Sequence, residues 1–199
     1  MEKAQARWPL RGFPWLTVVV VGASIAAEAG PAERLQYSRL AVSDGEIWRL
    51  LTGQLVHWTP RMAATDLGVL LVCGAWVERK SRFLAAATLG AAAALVAIAL
   101  HFVSPDVAVY RGSSGIASGM FAAAALTLAF EAPSRLARVG AALLLLLLGV
   151  KIAAEVWAGT PLFAGPMPSG ALVYPAGHAA GVLAGALAFC VRLGTKADS

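Results

Sequence analysis

Apolar residues gather into six stretches, at about 13–29, 62–77, 83–103, 114–130, 136–158 and 174–191, and most charged residues fall between them. Runs of this kind predict membrane-crossing helices, although several are shorter than the ~20 residues a perpendicular span needs. Short helices are tolerated where they are buried in protein or line a cavity. The pattern predicts an all-α, six-helix polytopic bundle forming a single membrane domain over 1–199. Residues 1–12 are its N-terminal segment, 30–61 a long polar loop, and 192–199 a tail. A second loop, "GTPLFAGPMPSGALV" (159–173), is rich in Gly and Pro and precedes the last stretch. No repeat of domain-building length is visible.

Composition sharpens this. Of 199 residues, 59% are hydrophobic and only 14% charged, against roughly 25% charged in soluble domains. Mean hydropathy is +0.72. The net charge of +5 raises nucleic acid as a partner. The basic residues, however, lie between apolar runs and build no patch interleaved with aromatics, so nucleic-acid binding is excluded; the lipid bilayer is the expected surrounding. The first apolar stretch lacks a small-residue cleavage pattern and reads as a retained span.

Basic residues also orient the chain. Lys3, Arg7, Arg11, Arg79, Lys80, Arg82, Arg135, Arg138, Arg192 and Lys196 fall on one side, in short segments. Arg34, Arg39, Arg49, Arg61 and Arg111 are spread over longer loops on the other. The first side is expected to be cytoplasmic, with both termini there. Cys73 and Cys190 fall near helix ends on that side and read as reduced packing residues rather than a disulfide.

With that orientation, the unusual polar residues converge on the outer half. Ser114 opens one inward-running helix and His178 lies about one turn into another. His57 immediately precedes the second stretch, Asp66 is about one turn into it, and Lys151 and Glu155 sit in the outer half of the fifth. An ionisable group at the bilayer centre costs roughly 3 kcal/mol, which makes such residues functional candidates. An isolated intramembrane histidine reads equally well as a hydrogen-bonded helix contact; a serine motif at the same depth favours chemistry. Lys151 and Glu155, four apart, either neutralise one another as a local ion pair or line a site and hold substrate.

"YRGSSGIASGMF" (110–121) places Gly112, Ser113, Ser114 and Gly115 at the head of an apolar helix. Free backbone N–H groups and the positive end of the helix dipole lie there, and both favour an oxyanion. The simpler reading of Ser113 or Ser114 is an N-cap. Gly115 and Gly119, and again Gly181 and Gly185, are four apart and permit close helix approach. That approach would bring a Ser114 hydroxyl to a His178 imidazole, the arrangement of an activated nucleophile. Neither a metal nor a cofactor is expected.

These residues resemble the rhomboid intramembrane serine proteases. "GSSG" (112–115) is similar to that family's G-x-S-G motif, "HAAGVLAG" (178–185) to its H-x-x-G-x-x-x-G, and "GEIWRLLTGQLVHW" (45–58) to the segment leading into its second span. The resemblance covers roughly residues 45–190. It is nearest to rhombosortases, through "TDLGVLLVCGAWVERKSR" (65–82) and the Lys151/Glu155 pair.

The resemblance implies a bacterial inner-membrane endopeptidase with a site toward the outer side. Its substrates would be transmembrane proteins, cleaved near C-terminal Gly-Gly anchors. Ser114 would be the nucleophile and His178 the general base of a dyad with no third member. Gly112, Ser113, Gly115, Asp66 and His57 would support the oxyanion. Three positions depart from the family pattern: Met62 stands for a histidine, Asp66 for an asparagine, and Ser118 for an aromatic or histidine. An ionised Asp66 would repel an oxyanion, so Asp66 is expected to be protonated, paired or turned away; orienting His57 or pairing with Arg61 are its alternative roles.

Two other classes were weighed. A catalytically impaired relative that binds transmembrane clients is motivated by Met62. A small-molecule transporter would want broken helices at matching places in two halves, and none are visible. The sequence does not fix the oligomeric state.

Overall fold

The computed structural model describes residues 12–160, 162 and 174–197. It opens with α1 (Trp15–Glu28). The segment read as a loop is in fact ordered into α2 (Ala32–Leu35), β1 (Tyr37–Ser38), α3 (Arg39–Ser43) and α4 (Arg49–Thr52). Next come α5 (Pro60–Lys80) and α6 (Arg82–Ile98), the latter continued by a π-helical turn at Ala99–Val103. β2 (Val109–Tyr110), α7 (Ser114–Glu131), α8 (Arg135–Ala158) and α9 (Pro175–Ala197) complete the order.

Among the described residues five helices are long and apolar enough to cross a membrane. α1 is apolar but has only 14 residues. The expected count of six is therefore five long helices and one short one.

Helix starts follow from sequence. Thr59, Ser81 and Ser134 each accept a backbone N–H three residues on, and Pro60 begins α5; these satisfy donors a helix start otherwise leaves orphaned. α1 has no such residue, its N-cap being Pro14. Glu78 of α5 serves instead. Its carboxylate accepts from Leu16 N at 3.0 Å, and from Thr17 N and Thr17 Oγ1 at 2.9 Å each. A charge that would be costly inside a span thus docks α1 onto α5.

α7 is the centre of the bundle, packed by α5, α6, α8 and α9. Ile116, Met120, Ala122 and Ala123 on it are buried, as expected of a helix apolar on every side. α8 is the opposite. Leu143, Leu146, Leu147, Val150 and Trp157 are exposed, and α8 leans chiefly on α7, so its leucine run faces the space that lipid would fill.

One end of the bundle carries residues 30–58 and holds the segment leading into α7. β1 pairs antiparallel with β2, Tyr37 opposite Tyr110. Gly112 N donates to Gly53 O at 3.0 Å. Arg39 donates to the carbonyls of Leu100, His101 and Ser104 at the end of the π turn. Arg111 donates to Gln36 and Glu33 and lies over the Trp58 ring at 4.5 Å. The entry to α7 is thereby fixed on both sides.

Candidate active site

Gly112 has φ +143°, a conformation that favours glycine. A Cβ there would also come 2.5 Å from Met62 Cε. The turn at Gly112 sets Ser114 as the first residue of α7, on the wall of a cavity of about 540 Å³. His178, Lys151, Glu155, Asp66 and Ser118 line the same cavity, whose walls are otherwise mainly apolar. His178 itself is buried. These six residues, all singled out in the sequence and drawn from α5, α7, α8 and α9, therefore face one space.

The resting contacts within it are specific. The phenol of Tyr110, beside the Ser114 hydroxyl, donates to Gly112 O at 2.7 Å. Burial, and then the Asp66 carboxylate, push the Tyr110 phenol well above its usual range, and the Ser114 hydroxyl opposes this. His178 Nδ1 lies 2.9 Å from Glu155 Oε2 and 3.2 Å from Lys151 Nζ. The Lys151–Glu155 ion pair closes at 2.9 Å, and Glu155 Oε1 accepts from Leu162 N at 3.1 Å. The pair is an ion pair and it lines the cavity.

His57 is not in this cavity. It had been placed with the oxyanion supports around Ser114; it binds the neighbouring serine instead. His57 Nε2 is 3.0 Å from Ser113 Oγ and accepts from Ser113 N at 3.3 Å. Its Nδ1 is 2.7 Å from Glu28 Oε1, and Asp66 Oδ2 is 3.5 Å from Nε2. Ser113 occupies the N-cap position of α7 but makes no side-chain cap bond, so its expected capping role gives way to the His57 contact. Glu28, His57 and Ser113 have the connectivity of an acid, a base and a nucleophile. Ser113 is only 1% exposed, however, and its surroundings leave a substrate no room. The three tie the end of α1 to the loop that carries Ser114.

That tie depends on pH. Burial disfavours a charged His57, but Asp66 and Glu28 outweigh it and raise its pKa above the ordinary ~6.5. A group whose pKa is raised by folding contributes stability in full below its unfolded pKa and loses it as pH rises through the folded pKa. Thermal unfolding in detergent should therefore show wild type losing stability as pH rises above about 6.5, with Glu28→Gln flattening the slope. An unchanged slope in Glu28→Gln would remove Glu28 from this role.

Asp66 reaches the cavity, yet its Oδ2 is buried and makes no hydrogen bond among the described residues. The charged group beside it is His57, whose Nε2 is 3.5 Å away; no Asp66–Arg61 ion pair occurs among the described residues. Gly115, Gly119, Gly181 and Gly185 lie together where α7 meets α9: a Cβ on Gly119 would come 2.8 Å from Gly181 O.

Sequence reasoning missed Glu28, Glu78 and Tyr110. For Glu28 the available signal was that a buried histidine needs a partner on each ring nitrogen. For Glu78 it was the absence of a capping residue at the start of α1. Tyr110 gave no signal, because its approach to Ser114 depends on β1 pairing with β2.

Comparison with known families gives one match: the Rhomboid domain model matches residues 44–194. No curated protein matches the chain.

Proposed function

The chain belongs to the rhomboid family of intramembrane proteases, and we propose that it is an active serine endopeptidase in which Ser114 attacks and His178 takes the proton. The observation that carries this is the shared cavity: a hydroxyl at the N-terminus of α7 and an imidazole on α9 face one half-open, largely apolar space. As substrate enters, Ser114 Oγ forms a bond to the scissile carbonyl carbon. Its proton passes to His178 Nε2, and the carbonyl oxygen becomes an oxyanion. Backbone N–H groups at the start of α7, helped by the helix dipole, are the donors for it. Collapse breaks the C–N bond as the proton moves on to the leaving amine; water then hydrolyses the acyl-enzyme by the same route. Met62 donates no hydrogen bond, so backbone groups carry this task.

The finer assignments belong to the same proposal. Substrates are transmembrane proteins, cleaved toward the outer side of a bacterial inner membrane in which both termini are cytoplasmic. The segment 65–82 and the Lys151/Glu155 pair favour the rhombosortase branch, and with it anchors of the Gly-Gly type. A single domain over 1–199 accommodates this site.

A client-binding, catalytically impaired protein is the second reading. The observation favouring it is Met62, which lines the cavity where the family pattern has a histidine and offers no side-chain donor to an oxyanion. A fluorophosphonate probe separates the two. Covalent labelling of wild type that is absent from Ser114→Ala is expected; an unlabelled wild type, with correct folding, would establish the impaired reading.

A further inference from the structure

His178 Nδ1 is a single position contested by two side chains. It can carry a hydrogen, in which case it donates to Glu155 Oε2, 2.9 Å away. Alternatively it can offer its lone pair, in which case it accepts from the Lys151 ammonium, 3.2 Å away. The two states are the two imidazole tautomers. Only the first leaves Nε2 free to accept a proton from Ser114. The second puts the hydrogen on Nε2 and removes the base. In this resting geometry Glu155 Oε2 stands close to Nδ1 without a well-aligned hydrogen bond, while Lys151 Nζ has one. Glu155 is almost completely buried, and its other oxygen is anchored by Leu162 N, so it is held beside the ring rather than wandering from it.

Resting on the Ser114–His178 reading, we infer that Glu155 is a positioning residue that sets His178 in its base-competent tautomer, and that Lys151 is an internal competitor which must move aside when substrate enters. The unit is then an acid, a base and a nucleophile rather than a dyad alone. When Ser114 gives its proton to Nε2, the imidazolium formed keeps its Nδ1 hydrogen directed at the Glu155 carboxylate; no proton passes to Glu155. Lys151 stays within reach of Glu155, at 2.9 Å, so it can release Nδ1 without losing its counter-charge. The other ionisable groups around the cavity are Asp66 on α5, Tyr110 and Arg111 beside α7, and Tyr174 ahead of α9. On the π-helical turn that follows α6, His101 is occupied by Tyr37.

The test uses full-length protein in detergent with a fluorogenic transmembrane substrate. Glu155→Gln should lower kcat by about 10²–10⁴-fold, with KM changed only a few-fold. The acid limb of its kcat/KM profile should move to lower pH, because an unopposed Lys151 disfavours the imidazolium. Lys151→Met should move that limb to higher pH. The double variant Lys151→Met with Glu155→Gln leaves no unpaired charge, and it should stay as slow as Glu155→Gln. Recovery of wild-type rates in the double variant would mean the pair is only a structural ion pair, and would overturn the inference. Nitrogen NMR of wild type above the acid limb decides without relying on variants. With the His178 signals assigned through His178→Ala, substrate-analogue binding should leave Nε2 as the unprotonated nitrogen; an Nε2–H tautomer in the analogue complex would overturn it. Cleavage that survives Ser114→Ala would instead sink the underlying reading.

Discussion

Ser114→Ala is expected to abolish cleavage of a transmembrane substrate in reconstituted vesicles, by on the order of 10⁴-fold or more, while the helical content and melting of the protein change little. The hydroxyl faces a cavity beside Tyr110, whose phenol keeps its bond to Gly112 O; its loss leaves no buried partner unpaired and should change stability by no more than about 1 kcal/mol. His178→Ala should cost about 10²–10⁴-fold, the usual worth of general-base assistance, because the serine and the oxyanion donors remain. Ser113→Ala is the informative neighbour. Ser113 touches His57 and lies away from the cavity, so its replacement should loosen the α1 tie and reduce activity only partly. Dead Ser113→Ala beside active Ser114→Ala would move the nucleophile by one residue and make His57 and Glu28 its partners. Substantial cleavage by His178→Ala would show that the base lies elsewhere.

What could be read from the sequence, and what could not, divides along a physical line. Apolar runs report burial in protein or lipid, so five long helices were legible, and caps such as Thr59 and Ser81 explain why the starts were sharp; the end of α9 was not, since the helix runs on to Ala197 through the segment read as a tail from 192, where polar residues end the apolar run but not the helix. Helix phase and depth placed Ser114, His178, Asp66, Lys151 and Glu155 near one level, and these line one cavity. Contacts set by short irregular segments were not legible. The β1–β2 pairing brings Tyr110 to Ser114, and the turn at Gly112 carries Ser113 away from the cavity to His57. A one-residue difference along the chain thus separates two serines into different environments, and no periodicity encodes that. The same limit applies to His57. Its place just before α5 gave its depth but not its direction, and direction depends on where Glu28 ends α1. Lys151 and Glu155 were legible as a pair because i,i+4 spacing is a property of the helix itself. Their contact with His178 was not, since it requires knowing how α8 is rotated against α9.

Gly181→Leu is expected to have the second largest effect, through geometry alone. A Cβ at Gly181 would collide with the carbonyl oxygen of Gly115, and one at Gly185 with that of Gly119. These are backbone atoms, so no rotamer change relieves the collision; the helices must part. Gly115 adjoins Ser114, and Gly181 is one turn beyond His178 on α9, so the displacement falls directly on the distance between hydroxyl and imidazole. Overpacking of this kind costs about 1–3 kcal/mol in stability, and a misplacement of ~1 Å can cost ~10²-fold in rate. The rate loss should therefore exceed what the loss of folded protein explains. Even Gly181→Ala should be impaired, since the obstruction begins at Cβ, and Gly181→Leu should be worse. Gly149 on α8 is the control: a Cβ there meets nothing within 4 Å, so Gly149→Ala should fold and cleave normally. The readouts are cleavage rate normalised to folded protein, and the rate of fluorophosphonate labelling at Ser114. If Gly181→Leu cleaves as fast per folded molecule as Gly149→Ala, the contact between α7 and α9 does not set the geometry of the site, and closure must come from α8 instead.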